Sequence, residues 1–564
     1  MSKLIFCGVF LSAVLLGCTS AVTPNRGALS YDYLMANNNS TFATAAFLPV
    51  NGKASTNMFS GRLIITGTPV FKQIYGQQTS LPKGYRHWPL FNYKFVQHSG
   101  RLIPVERGHG FNGNGAWSIT AGVGKVWDEK TDNGYSRAAF PYTLKERNAN
   151  CEANGVASFL FKSDGSISNV QVQNITQTCP FYGFEFYGTL SAKYQPYEVR
   201  NQAHVIARRN KEEAAFIATK PLAQLAVDYP KVDLANYGYA IKGEDLLGFS
   251  ILVNNTSYSS GCYTRYGEHP YCQDRTVGVY SFTKSVHAFT VVAALEKRFP
   301  GFKNWAIKDL VPECHDKRWQ GVTVEHALDM ATGNYQSAEF EVDEHSSEME
   351  QHYFAKATRA ERAEFICNGW PSKTKPGQYS VYHTTDSELV GYAAARFVQM
   401  QLGQNKEAFN DILVPIYQAI GLSEYVNGVQ RNSDTRDAWA GYGLSMTLND
   451  VVRFSQYLRD EALLDGLLDK TMVQEVLTGQ PKGLSANTPN FNYDNGFWRY
   501  HSGKTTAMKA CGEKTQVPVM SGFGGHTVII LPEVIITQLT DGGGLGFSRT
   551  ISDVFNNISD KCPN

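Results

Sequence analysis

The most restrictive stretch of the chain is Val277-Gly278-Val279-Tyr280-Ser281-Phe282-Thr283-Lys284, which runs into an apolar, alanine-rich segment ending at Phe299 and is stopped by Pro300-Gly301. Phe282, Val286, Phe289, Val292 and Ala293 recur at three- and four-residue spacing. That periodicity predicts a helix starting at or near Ser281 and buried along most of one side. So apolar a helix needs a large body of protein around it. The chain has 564 residues, more than one hydrophobic core usually organises, so two domains and a targeting segment are expected.

The two domains differ in texture. Residues from about 24 to 200 are rich in Gly, Asn, Thr and aromatics, with short alternating runs such as Gly61 to Ile65 and Ala157 to Lys162. Asp164-Gly165 and Asn112-Gly113 are dipeptides of the kind that close hairpins. A mostly β accessory domain is expected over 19–200, acting as a spacer or binding platform. From about Asn201 the sequence turns charged and helix-forming, as in Arg208 to Ala215, and it ends in two strand-like runs, Thr527 to Leu531 and Val534 to Leu539. The second domain is taken as 201–564.

The first eighteen residues carry Lys3, an apolar run from Leu4 to Leu16, and then Gly17-Cys18. The run is short for a bilayer span and has the build of a signal peptide. A small residue before cysteine resembles a bacterial lipobox, which implies cleavage to leave Cys18 acylated and the protein exported and anchored in a membrane, facing the periplasm or cell surface. The alternative is a plain secretory signal cut near Ala21. Eight cysteines lie beyond it: Cys151, Cys179, Cys262, Cys272, Cys314, Cys367, Cys511 and Cys562. An even number in an exported chain points to disulfides, and neighbours in sequence pair sensibly, although sequence cannot fix connectivity.

Other chemistries find no support. No CxxC or HExxH occurs, so a metal site is not expected, and no cofactor motif is present. The formal charge is +1, with no long basic run to track phosphates, so nucleic acid is not an expected partner. His501-Ser502-Gly503-Lys504-Thr505 imitates the tail of a phosphate loop, but Trp498 stands where the first glycine belongs. No G-x-S-x-G appears, which counts against an α/β-hydrolase elbow.

What remains is Ser281 and Lys284. A serine hydroxyl needs a base within hydrogen-bond reach, and three residues apart on a helix supplies it. A lysine desolvated at a helix start loses basicity, and the helix N-terminus favours an oxyanion. The pattern S-x-x-K also occurs at Ser80 and Ser372, where Pro82 and Pro376-Gly377 deny it a helix. Alone, it is equally the signature of an N-cap serine with a solvated lysine. Further segments follow in order. Val322 to Gly333 precedes Pro376-Gly377-Gln378-Tyr379-Ser380-Val381-Tyr382-His383-Thr384, and then come Gly443 to Phe454 and Ser521-Gly522-Phe523-Gly524-Gly525-His526.

With these segments the chain, over about 275 to 540, resembles the serine β-lactamase and penicillin-binding superfamily, in its class C and esterase-like (6-aminohexanoate-dimer-hydrolase-like) branch. The resemblance implies an α+β fold, an antiparallel sheet flanked by helices plus a helical subdomain. It implies Ser281 as nucleophile and Lys284 with Tyr382 as its acid–base pair, Thr384 standing where Asn is common. Tyr379 is a nearby rival without the family spacing. The oxyanion hole would be the N–H of Ser281 and one from Ser521, Gly522 or Phe523, Phe523 being favoured.

One departure matters. Met520-Ser521-Gly522 occupies the place of the family's Lys-Thr-Gly, so the cation that usually grips a substrate carboxylate is missing, with His526 as a conceivable substitute. The reading is therefore a serine hydrolase acting on a small ester or amide. The alternatives are a β-lactamase or D-alanyl carboxypeptidase, and a non-catalytic envelope binding lipoprotein.

Overall fold

The computed structural model describes residues 29–76, 83–108, 115–479, 483–501, 503, 506–512 and 515–563. Cys18 and the rest of the expected signal, the Asn112-Gly113 turn, Ser80 and most of the 501–505 motif lie outside these residues. Strands β1 (Ser60–Thr66), β2 (Val70–Tyr75), β3 (Phe91–His98), β4 (Arg101–Pro104), β5 (Trp117–Ala121), β6 (Gly124–Asp128), β7 (Ser136–Glu146), β8 (Glu152–Phe161), β9 (Val170–Thr178) and β10 (Gly183–Pro196) make one antiparallel sheet. Its path runs β1-β3-β4-β6-β7-β8-β9-β10, and β10 pairs back onto β1. Eight strands thus close on themselves, which removes free edges, while β2 and β5 lie outside on β10 and β7.

Strand alternation explains what fills this ring. Phe91, Phe95, Phe140, Phe159, Phe184 and Phe186 point to one side and pack together with Trp117 and Tyr142 in a single core. The interior of the ring is thus a packed aromatic core. Lys162 N donates to Ser166 O at 2.8 Å across the turn at Asp164-Gly165, where Gly165 adopts φ +99°.

After helix Gln202–Ala214 come β11 (Ala218–Pro221), β12 (Leu246–Val253) and β13 (Thr256–Gly261), then the short pairs β14 (Tyr263–Thr264) with β15 (Gly267–Glu268) and β16 (Thr276–Gly278) with β17 (Ser445–Thr447). Strands β18 (Leu484–Thr488), β19 (Phe491–Asp494), β20 (Phe497–His501), β21 (Gln516–Gly522), β22 (His526–Ile530) and β23 (Val534–Thr540) follow. The second sheet has the order β11-β13-β12-β23-β22-β21-β20-β19-β18. It is antiparallel except at its edge, where the short β11, arriving from a helix, joins β13 in parallel.

Both faces of this sheet are covered. Val528, Ile530, Ile535 and Leu539 join the large helical core containing Phe282, Val286 and Phe289, while Ile529, Leu531, Val534 and Ile536 face a second core closed by helix Ser548–Asn557. Disulfides join Cys151–Cys179, Cys262–Cys272, Cys314–Cys367 and Cys511–Cys562. Such cross-links belong to chains outside the reducing cytoplasm. Among the described residues no helix is long and apolar enough to cross a membrane.

Candidate active site

The chain leaves β16 at Gly278 and turns at Tyr280, whose φ of +45° is unusual for a bulky residue. Phe282 N, Thr283 N and Lys284 N then donate to the carbonyls of Val279, Tyr280 and Ser281 at 3.0 Å, opening the helix that reaches Arg298. The expected helix is present, with one difference: Lys284–Phe289 is π-helical before Thr290–Arg298 becomes regular. The Ser285 hydroxyl donates to Gly496 O at 2.6 Å, and a Cβ at Gly496 would come within 2.9 Å of Lys284 O, so the widened turn accommodates a crossing backbone.

Ser281, Lys284 and Tyr382 meet. Lys284 Nζ lies 2.8 Å from Ser281 Oγ, 2.9 Å from Thr384 Oγ1 and 2.8 Å from Gly441 O. Tyr382 donates its hydroxyl to Ser281 Oγ at 2.8 Å. Burial pushes the Lys284 ammonium down to about 8, opposed by the charges of Glu344, Glu341 and Glu388. Burial, with Glu344 nearby, holds the Tyr382 phenol well above its usual range, so it is protonated at neutral pH. Its ring stacks on Trp498 at 5.4 Å and 16°. Tyr379, 45% exposed, stays on the surface.

Glu344 orders this group. Its carboxylate accepts from Thr384 N at 2.8 Å and from the Thr384 hydroxyl. With the Thr384 proton committed to Glu344, Thr384 Oγ1 can only accept from Lys284. A neutral Lys284 then spends its two N–H bonds on Thr384 Oγ1 and Gly441 O, and its lone pair is left facing Ser281 Oγ. Glu344 is held in turn by its neighbour: Asp343 bonds to buried His383 Nε2 at 3.0 Å, and His383 stacks on Trp370. Gly441 is fixed by Glu388, which accepts from Ala440 N at 3.0 Å and pairs with buried Arg362. Nothing in the sequence marks Glu344 or Glu388, since isolated carboxylates among many carry no spacing signal.

Ser521, Gly522 and Phe523 run beside the turn that presents Ser281. A Cβ at Gly522 would come within 2.7 Å of Val279 O, which explains the glycine. The Phe523 ring packs edge-on to Tyr280 at 5.7 Å and stacks on Phe181 at 5.2 Å. These two phenylalanines are 42% and 59% exposed. Met520 is fully buried in the helical core. His526 is equally buried: Nδ1 accepts from Thr540 N at 3.2 Å, so Nε2 carries the proton toward Gly278 O at 3.0 Å. Burial lowers its pKa to about 4. It is a neutral structural residue and cannot replace the missing cation.

The family model described as Beta-lactamase matches residues 257–534. No curated protein matches the chain. Among solved structures, a Bacillus anthracis protein provisionally assigned as a 6-aminohexanoate-dimer hydrolase is 16% identical, covering 56% of this chain and 78% of its own, with a TM-score of 0.41. A penicillin-binding protein homologue from Caulobacter crescentus is 16% identical over 62% of this chain and 97% of its own, with a TM-score of 0.40. A hydrolase with promiscuous acyltransferase activity is 14% identical over 62% and 100%, with a TM-score of 0.42. At such values none of the three decides a substrate.

Proposed function

We infer, from the match of residues 257–534 to the β-lactamase family model, that this chain is a serine hydrolase that cleaves a small ester or amide through an acyl-enzyme on Ser281. The observation that carries the reading is the chain Tyr382 O–H to Ser281 Oγ to Lys284 Nζ, each link 2.8 Å. Ser281 Oγ attacks the acyl carbon while its proton passes to Lys284. The N–H groups of Ser281 and Phe523 receive the developing oxyanion. Tyr382, protonated, gives its proton to the departing oxygen or nitrogen and recovers one from Lys284. A water then attacks the acyl carbon, losing its proton to the same pair, and Ser281 is released.

Buried Met520 and neutral His526 leave the β21 strand without a cation to grip a carboxylate, and the exposed rings of Phe181 and Phe523 favour an uncharged apolar acyl group. This supports an ester or amide over a β-lactam or a D-alanyl peptide. The chain is further proposed to be exported and anchored through acylated Cys18, with an accessory domain over 19–200 and the hydrolase domain over 201–564.

Covalent labelling tests the reading. A fluorophosphonate is expected to modify wild-type protein at Ser281 and not the Ser281→Ala variant, while a fluorescent penicillin labels neither. Labelling by both reagents would revive penicillin recognition. Labelling of Ser281 by neither would leave a binding protein without turnover.

A further inference from the structure

The turn between β7 and β8 belongs to the aromatic ring of strands, yet its last residues reach the nucleophile. Asn150 is fully buried. Its Oδ1 accepts from Tyr280 N and from Gly443 N, both at 2.9 Å, and its Nδ2 donates to Leu444 O at 3.1 Å. One side chain therefore joins the residue just before Ser281 to the segment just after Gly441, the acceptor of Lys284. The approach is close enough that a Cβ at Gly278 would fall within 1.9 Å of Asn150 O.

The rest of this turn is built to hold Asn150 still. Its neighbour Cys151 is bonded to Cys179, and the Tyr280 hydroxyl donates to Thr178 O at 3.2 Å. Lys145 of β7 reaches Gly428 O at 3.0 Å and Ser445 Oγ at 2.7 Å, and Glu152 of β8 accepts from Thr276 Oγ1 at 3.0 Å. The Tyr280 conformation, with φ +45°, needs such support from outside, because a bulky residue in the left-handed region persists only where its surroundings fix it.

We propose that Asn150 is a positioning residue for acyl transfer, through which the N-terminal strands hold the Tyr280–Ser281 turn and the Gly441–Leu444 segment in register. This rests on the assignment of Ser281 and Lys284 above. It gives the N-terminal strands a role that neither a spacer nor a ligand platform would have: part of the support for the reacting group comes from them. Loss of the Asn150 bonds lets the Gly441 carbonyl drift from Lys284 and admits water, so the lysine regains basicity and the serine loses its alignment.

The test uses Asn150→Ala and Asn150→Asp in the full chain, Asp keeping both acceptor bonds. Asn150→Ala is expected to lower kcat and the fluorophosphonate labelling rate about 10²-fold, the scale of a misplacement near 1 Å, with KM little changed. The acid limb of its pH–rate profile moves to higher pH, and Asn150→Asp recovers part of the rate. Hydrogen exchange over 278–284 and 441–444 rises in Asn150→Ala while the global melting transition stays cooperative. A rate loss that only mirrors a smaller active fraction, with the wild-type pH profile, would overturn the proposal, as would unchanged exchange in both segments. Should Asn150→Ala fail to fold, Asn150→Asp and Asn150→Ser carry the same comparison. Should wild-type protein not label at Ser281, the assignment of the nucleophile fails, and the exchange experiment still decides whether Asn150 ties the two segments.

Discussion

The Tyr382 hydroxyl lies 2.8 Å from Ser281 Oγ although 101 residues separate them in the chain. Burial keeps this phenol protonated, so in the resting site it donates to the serine and does not deprotonate it. Tyr382→Phe keeps the ring stacked on Trp498 and removes only the hydroxyl. Its kcat is expected to fall about 10²–10⁴-fold, the usual worth of a positioned acid or base, with the melting temperature nearly unchanged. Steady-state kinetics on a nitrophenyl ester and on a matching amide check this, and the amide, whose poorer leaving group needs the proton more, suffers the greater loss. Equal, near-wild-type rates on both substrates would remove Tyr382 from the mechanism.

The pH profile follows from Lys284. Its ammonium is pushed down to about 8 by burial, and only the neutral amine accepts the Ser281 proton. Activity should therefore rise as pH increases toward 8 and level off above it. Labelling rates measured from pH 5 to 10 test the sign. The same depression affects stability: an unfolded lysine keeps its proton up to about 10.5, the folded one releases it near 8, so this group contributes stability that increases with pH between those values. Burial also lowers the pKa of Lys145, against the opposing charge of Glu152, and this acts in the same direction.

Glu344 separates charge from geometry. Its carboxylate raises the Lys284 pKa against the dominant effect of burial and fixes the Thr384 hydroxyl as an acceptor. Glu344→Gln should move the acid limb of the profile to lower pH, because less negative charge favours the neutral amine. The plateau should fall as well, because an amide no longer commits the Thr384 proton. A limb that moves upward would contradict the electrostatic assignment. Thr384→Val gives the complementary result, a lower plateau with the Glu344 charge still in place.

The sequence was legible where chemistry imposes spacing. Ser281 and Lys284 were readable as neighbours because a helix brings residues three apart together, whereas their pairing with Tyr382 came only from the resemblance, which places that tyrosine by the family spacing after Pro376-Gly377. Short alternating runs announced β1 and β8, and apolar strand-like runs announced β22 and β23. What escaped was closure: no local pattern reveals that β10 returns to β1, since that pairing joins Thr66 to Ser191 across 125 positions. Asn150, Glu344 and Glu388 escaped for the same reason. Each acts by accepting backbone N–H bonds from a distant segment, and a backbone N–H leaves no mark in a sequence. The π-helical turn after Lys284 depends on Gly496 crossing from β20's approach, which is equally silent.

The four disulfides give a prediction independent of the reaction. They consume all eight cysteines beyond residue 28, so a variant that starts at residue 29, denatured and unreduced, should show no free thiol; eight would contradict the structure. Their contributions should differ with loop length. Cys314–Cys367 and Cys511–Cys562 close separations of 53 and 51 residues, against 10 for Cys262–Cys272. By chain entropy a loop near 50 residues is worth about 4 kcal/mol and one of 10 about 3 kcal/mol. Paired serine replacement at 314 and 367 should therefore cost more stability than replacement at 262 and 272. Cys151–Cys179 should behave differently from both. It anchors the turn bearing Asn150, so its removal should lower the labelling rate of Ser281 at temperatures where the protein is still fully folded, an effect urea melts cannot report and labelling kinetics can.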